Sequence, residues 1–364
     1  MPAAVSLSRR LLLGLMGAGA LAPALRLFGR GLLSIFTLHR FADPDLGVGG
    51  HDPAALRDHL AYLRRYRYRL LSLTDVLKGL EEGGRWSAPT VAFTVDDGYA
   101  GFAHIAAPIF AEYDCPVTMF VTTGFLDGQI WMWWDRMTHL FTHTRRCSLL
   151  LDLGFEQRSY RWSTPGERDR VRQDILGRLE WVDAPQREAA IAGLSQQLDV
   201  ELPASPPPEF APISWDDVRR TARLGATFGP HTVTHPILSL ATDEVCNWEV
   251  QESYRRLREE TDAYVPIFCY PNGEPRAFGQ RELETVQRAG LKAALTTVPD
   301  YATSHHGRLG RFALPRFPYP EDRAHVVHAV AGLARLKRMI QGRGRARSPN
   351  VTPRLPTVNA PCAG

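Results

Sequence analysis

The sequence predicts an α/β fold whose strands run parallel. Short apolar runs rich in β-formers alternate with amphipathic stretches: Val91-Ala92-Phe93, then Phe102 to Tyr113, then Val117 to Val121, and again Ile267 to Pro271 before Arg281 to Ala289. Each amphipathic stretch is long enough to be the crossover that parallel strands require. A further observation locates the chemistry. Thr94-Val95-Asp96-Asp97-Gly98 closes one strand and His231-Thr232-Val233-Thr234-His235 follows another, so both lie at the carboxyl edge, where α/β sheets hold their ligands. The alternation leaves the sheet either open or closed as a barrel.

In chain order, the apolar run from Leu32 to Leu38, ending in His39-Arg40-Phe41, reads as the first strand. Pro53 to Arg64 has helical periodicity behind a capping Asp52. Tyr68 to Leu73 is a short strand, with Thr74-Asp75 opening a helix through Leu80. After the Val91 strand, the Phe102 helix and the Val117 strand, the rhythm breaks. Trp131-Met132-Trp133-Trp134-Asp135 leads an amphipathic helix to Phe141, Ser148 to Leu153 and Arg158 to Trp162 form a hairpin, and Gly166 to Leu198 is charged and helical. Five prolines among the ten residues 203–212 mark a linker back to the core. Trp215 to Leu224 is then a helix, Thr227-Phe228-Gly229 a strand, Thr242 to Thr261 a helix, Ala293 to Thr297 a strand, and Phe312 to Phe317 the last strand. The expected organisation is a first barrel part at 32–126, an inserted helical and hairpin subdomain at 127–212, and a second barrel part at 213–330. A segment at 1–31 precedes these, and a basic tail at 331–364, expected to be disordered, follows.

Composition supports a full core, with 44% hydrophobic residues. The net charge of +4 belongs to the ends. Arg9, Arg10, Arg26, Arg30 and Arg40 precede the first acid, Asp43, and Arg335, Lys337, Arg338, Arg343, Arg345, Arg347 and Arg354 crowd the tail. Without those twelve the body carries fewer basic than acidic residues. Basic ends on an acidic body point to an anionic membrane surface, and the body shows no basic, aromatic-interleaved face for nucleic acid. The five cysteines, at 115, 147, 246, 269 and 362, contain no CxxC pair and read mostly as small core hydrophobes. Ser8-Arg9-Arg10 followed by the uncharged run Leu11 to Leu25 fits a signal-peptide core and resembles a twin-arginine export signal. The competing reading is an uncleaved segment on the inner face of the membrane. A bacterial envelope location, periplasmic or membrane-associated, is the expectation.

Two adjacent carboxylates closed by a glycine must sit on a turn. Two histidines at i and i+4 share one face if their segment is helical, and so can grip one ion. One carboxylate with two imidazoles leaves positions open for water and substrate.

These residues, with Phe268-Cys269-Tyr270-Pro271-Asn272-Gly273 after them, resemble the polysaccharide deacetylases, carbohydrate esterase family 4 with its NodB-homology domain, over about residues 33–126 and 213–318. The resemblance implies an irregular (β/α) barrel with one divalent ion, usually zinc, at the carboxyl ends of its strands. By position it makes Asp97, His231 and His235 the metal ligands and Asp96 the general base. Two departures stand out. Cys269 and Asn272 stand where typical members carry an arginine and a tyrosine, and the usual terminal Leu-x-His is not visible. Arg316, in Leu314-Pro315-Arg316, is the candidate to replace the arginine; His39, or His305 or His306, is the candidate for the general acid. Tyr270, Asn272, Trp133 and Trp134 are the expected substrate contacts, because indole faces stack on pyranose rings. The expected activity is removal of N-acetyl groups from an amino sugar of a polysaccharide or glycoconjugate. A glycan-binding module with weakened catalysis and a hydrolase of small cyclic amides are the alternatives, and release of acetate separates them.

Overall fold

The computed structural model describes residues 29–83, 86–303, 306 and 310–333. Three strands carry the barrel: β1 at Leu33–Leu38, β3 at Thr90–Val95 and β4 at Val117–Val121, with every residue of each buried. Parallel strands covered on both faces require such unbroken apolar runs. β2 is only Arg69–Leu70, beside the start of β3, and β7 is Ala226–Pro230. With β10 at Phe317–Pro318, the parallel order is β10-β1-β3-β4-β7. Register puts Ile35 beside Ala92, Thr37 beside Thr94, and Phe120 beside Gly229. Gly229 is required there, since a Cβ would lie 2.4 Å from the Phe120 ring.

The remaining strands, β8 at Ile267–Cys269 and β9 at Ala293–Leu295, pair in parallel with each other only. Single bridges flank this pair: Phe228 of β7 to Tyr264, just before β8, and Leu295 of β9 to Leu314, just before β10. The result is the irregular barrel expected. Alternation along the strands sends Phe36, Leu38, Val91, Phe93 and Val95 to an outer layer packed by helices. Ile35, Ala92, Phe120, Ile267, Cys269 and Leu295 form a separate cluster with Leu73, Val76, Leu77 and Leu80.

Helices cover this barrel: α1 (Pro53–Arg65, capped by Asp52), α2 (Leu73–Glu81), α3 (Ala107–Glu112) and the single turn α4 (Thr123–Leu126) come first. The cap of α2 is Ser72, whose hydroxyl accepts from the Asp75 amide. The helix predicted from Phe102 opens as a π-helical turn, Phe102–Ala106. Pro108, without an N–H, interrupts the regular ladder there. The last strand is shorter than predicted. Gly310–Ala313 is a 3-10 turn and only Phe317–Pro318 pairs with β1, because Pro315 and Pro318 remove two ladder donors.

Between these halves lie α5 (Trp133–His143), the antiparallel hairpin of β5 (Ser148–Asp152) and β6 (Gln157–Arg161), α6 (Pro165–Leu179) and α7 (Ala184–Leu198). They bury a core of their own, including Leu140, Leu151, Tyr160, Trp162, Ile175, Leu179 and Leu194. The chain then returns through α8 (Trp215–Ala222), α9 (Asp243–Glu260), α10 (Gln280–Arg288) and α11 (Arg323–Val330). Among the described residues no helix is long and apolar enough to cross a membrane. The leading segment to residue 28 and the basic tail from 334 lie outside the described residues.

Candidate active site

The Asp turn is built by the backbone. Asp96 keeps its ladder bond, N–H to Leu38 O at 2.9 Å, so its side chain continues the inward row of Ala92 and Thr94. Asp97 and Gly98 then take φ of 77° and 104°, left-handed values that end the strand at once. Gly98 allows this cheaply, and a Cβ there would also meet Leu126 at 2.7 Å.

The two histidines come from a loop, so the condition that their segment be helical is not met. His231 extends β7, its N–H bonded to Val121 O at 3.0 Å, and Thr232 and His235 are left-handed at φ 67° and 57°. Glu249 of α9 holds this loop, accepting the Val233 and Thr234 amides at 2.7 and 3.0 Å, while the Thr232 hydroxyl accepts from His235 N. The loop brings the imidazoles together all the same, with ring centroids 4.8 Å apart. Their Nε2 atoms lie 3.6 and 3.5 Å from Asp97 Oδ1. His231 Nδ1 donates to Cys269 O at 2.7 Å, which fixes the tautomer and leaves Nε2 free to ligate. One carboxylate oxygen and two imidazole nitrogens, all within 4.8 Å of one another, match the donor set of a divalent-metal site with open positions. Burial pushes the Asp97 carboxyl up, but its contacts with His231 and His235 hold it well below its ordinary pKa. It is therefore ionised at neutral pH.

Asp96, His231 and Cys269 also cluster within that range. A guanidinium argues against a cation among them: Arg316 Nη2 lies 3.1 Å from Cys269 Sγ. Arg316 is fully buried and donates from Nη1 and Nη2 to the two oxygens of Asp96, from Nε to Thr296 O, and to the Thr94 hydroxyl. Thr37 donates to Asp96 Oδ2 as well. Burial raises the Asp96 pKa, and the Arg316 charge and hydrogen bonds more than offset this, bringing it to about 2.

A cavity of about 370 Å³ opens over these groups. His39, half exposed, lines it with Nε2 4.0 Å from Asp96 Oδ2. His305 lies outside the described residues, and His306, bonded through Nδ1 to the Thr303 amide, is not on the cavity wall. Trp134 lines the cavity, its ring T-shaped to His235 at 4.9 Å. Trp133 does not: it packs against the insert core beneath the Arg187 guanidinium at 5.0 Å, so its expected substrate contact is corrected. Successive helical residues point about 100° apart, and here it is Trp134 that turns toward the cavity. Tyr270 borders the cavity, but its ring stacks on Phe278 and its hydroxyl donates to Phe312 O. Asn272, left-handed at φ 59°, donates its side-chain amide to Glu180 at the end of α6.

Sequence reasoning missed four groups on or beside this wall. Arg40, Tyr99 and Thr297 line the cavity, and Asp135 lies behind it. Adjacency was the available signal, since Arg40 follows His39, Tyr99 follows the Asp turn, and Asp135 follows the indoles.

Barrel, Asp pair and His pair together define a deacetylase acting on carbon–nitrogen amide bonds. The chain belongs to the polysaccharide deacetylase family, whose family model matches residues 83–165 and 167–294. Among solved structures the fold is shared with the Streptococcus pyogenes deacetylase PplD in complex with acetate, at TM-score 0.52 and 16% identity over 84% of this chain and 98% of that one. IcaB from Ammonifex degensii gives TM-score 0.52 and 15% identity over 83% and 97% of the two chains. BC0361, a polysaccharide deacetylase from Bacillus cereus, gives 0.50 and 12% over 83% and 69%. No curated protein sequence matches.

Proposed function

We propose that this chain is a metal-dependent N-deacetylase that frees the amine of an N-acetylated sugar in a bacterial envelope polysaccharide or glycoconjugate. The observation that carries the reading is the division between two adjacent carboxylates. Asp97 faces two imidazoles, while Asp96 faces a guanidinium. Asp97, His231 and His235 hold the ion, Zn2+ being the metal best suited to that donor set. When bound, it polarises the acetyl carbonyl and acidifies the attacking water.

The chain's own groups do the rest. Asp96, kept ionised and in one rotamer by Arg316, accepts a proton from the water, a contribution of typically about 10²–10⁴ in rate. The Gly273 N–H is already bonded to Pro271 O at 2.7 Å, so the oxyanion donor of this turn is the Asn272 N–H. His39, on the wall of the same cavity 4.0 Å from Asp96, is the group assigned to pass a proton to the departing amine. The products are acetate and the free amino sugar. Trp134 offers an apolar ring face to the pyranose. The basic ends and the uncharged Leu11 to Leu25 run support placement at the envelope, with contact to an anionic membrane surface. An acetate-release screen over N-acetylated glycans tests the reading; no release from any of them by the metal-loaded protein defeats it.

A further inference from the structure

We propose that Asp135, on the insert, is a positioning residue for the glycan site: through the Tyr99 hydroxyl it fixes the Trp134 indole against His235, and so sets affinity for the sugar. This deepens the deacetylase reading and rests on it for the identity of the ligand.

The contacts form one continuous chain. Asp135 is 2% exposed, and its two oxygens accept from different barrel residues: Oδ1 from Arg40 Nη1 at 3.0 Å, and Oδ2 from Tyr99 Oη at 2.6 Å. That same Tyr99 oxygen accepts from Trp134 Nε1 at 2.8 Å, and the indole stands edge-to-face with His235. Arg40 also donates to Glu209 O and lies over the Tyr99 ring at 4.6 Å, which closes the arrangement from behind. Arg40 adjoins His39, and Tyr99 lies two residues past Asp97. One carboxylate on the insert therefore ties together the acid strand, the Asp turn and the indole.

Stability alone does not explain such a group. A buried carboxylate–guanidinium pair contributes little net stability compared with apolar residues of the same volume. What it supplies is direction, because hydrogen bonds from two separate barrel residues hold the carboxyl in one geometry. Tyr99, tethered by Asp135, accepts from Trp134 Nε1 and so holds the indole in the orientation seen. That orientation presents the ring to the cavity.

The test is a double-mutant cycle of Asp135→Asn with Trp134→Ala, on the glycan that the wild-type enzyme deacetylates. Asp135→Asn should raise KM on the order of tenfold with kcat and metal content within about twofold. In the Trp134→Ala background it should add no further KM change. Tyr99→Phe, which removes only the bridging oxygen, should raise KM as Asp135→Asn does. A substrate-independent measurement runs beside these: hydrogen exchange of the Trp134 indole N–H, assigned with Trp134→Phe, should be slow in the wild type and fast in Asp135→Asn. If no glycan loses acetate, the functional reading fails and the exchange measurement still decides whether Asp135 orients the indole. Unchanged indole protection, or additive KM effects in the cycle, overturns the proposal. So does a parallel fall in kcat, metal content and melting temperature, which marks a purely structural role.

Discussion

Arg316 binds Asp96 through both forks, Nη1 to Oδ1 at 2.8 Å and Nη2 to Oδ2 at 2.7 Å, and neither side chain is more than 3% exposed. Its Nη2 also touches Cys269, the position where the resemblance places an arginine. A small thiol at 269 leaves the volume that a guanidinium arriving from 316 fills. The Asp96 carboxylate is thus oriented from a different strand end.

Arg316→Lys should lower kcat by on the order of tenfold to a hundredfold with metal content unchanged, since an ammonium cannot hold both oxygens at once. Arg316→Met should lower it further and also cost about 3–5 kcal/mol of stability, because it strands a buried charge. Steady-state kinetics and denaturant melts measure the two effects. Adding Asp96→Asn to the Met variant should recover much of the stability; no recovery would mean that Arg316 acts elsewhere.

Asp97→Ala, His231→Ala and His235→Ala should each reduce metal content from about one ion per chain, the stoichiometry of a three-ligand site. Elemental analysis after desalting reads this out. Chelation of the wild type should lower the melting temperature, and re-addition of Zn2+ at a hundred times Kd should restore about 2.7 kcal/mol. Full occupancy in all three variants would contradict the ligand set.

The neighbouring indoles should behave differently. Trp134→Ala should raise KM for glycan with little loss of stability, whereas Trp133→Ala should destabilise the insert by about 2–3 kcal/mol through lost packing. Comparing KM with the urea midpoint for each variant separates the roles.

The two buried carboxylates should give opposite pH dependences of stability. Asp96, held near 2, contributes stability that is complete above the unfolded carboxylate range and is lost as pH falls toward 2. Burial pushes Asp135 up to about 7 despite Arg40 and Tyr99, so the folded protein takes up a proton that the unfolded chain releases. Its contribution is largest at acid pH and declines between about pH 4 and 7. Asp135→Asn should flatten the melting-temperature profile across that window; an unchanged slope would assign it to other groups.

Most of the candidate site was readable because its Asp and His residues sit on short contiguous motifs at strand ends, where alternation fixes which side chains turn inward. Asp96 faces inward for the same reason that Ala92 does. The histidine spacing puts both rings on one face only if the segment is helical, and the segment is a loop whose shape depends on Glu249 of α9, a partner in a different element with no local signal. Arg316 was visible as the compensation for a gap in a motif, although the strand expected to carry it shrank to a two-residue pair. Trp133 and Trp134 were indistinguishable by composition, because only the docking angle of α5 decides which one faces the barrel. The Asp135, Arg40 and Tyr99 network joins three distant segments and could not be read from any one of them.

The most direct measurement is acetate release by wild-type protein and by Asp96→Asn, each assayed for bound metal in the same sample. The expected result is about one divalent ion in both proteins, with acetate released from an N-acetylated glycan at an appreciable rate by the wild type alone. Equal turnover by the two, or loss of metal from Asp96→Asn to the same degree as from Asp97→Ala, would contradict the assignment of separate tasks to the adjacent carboxylates.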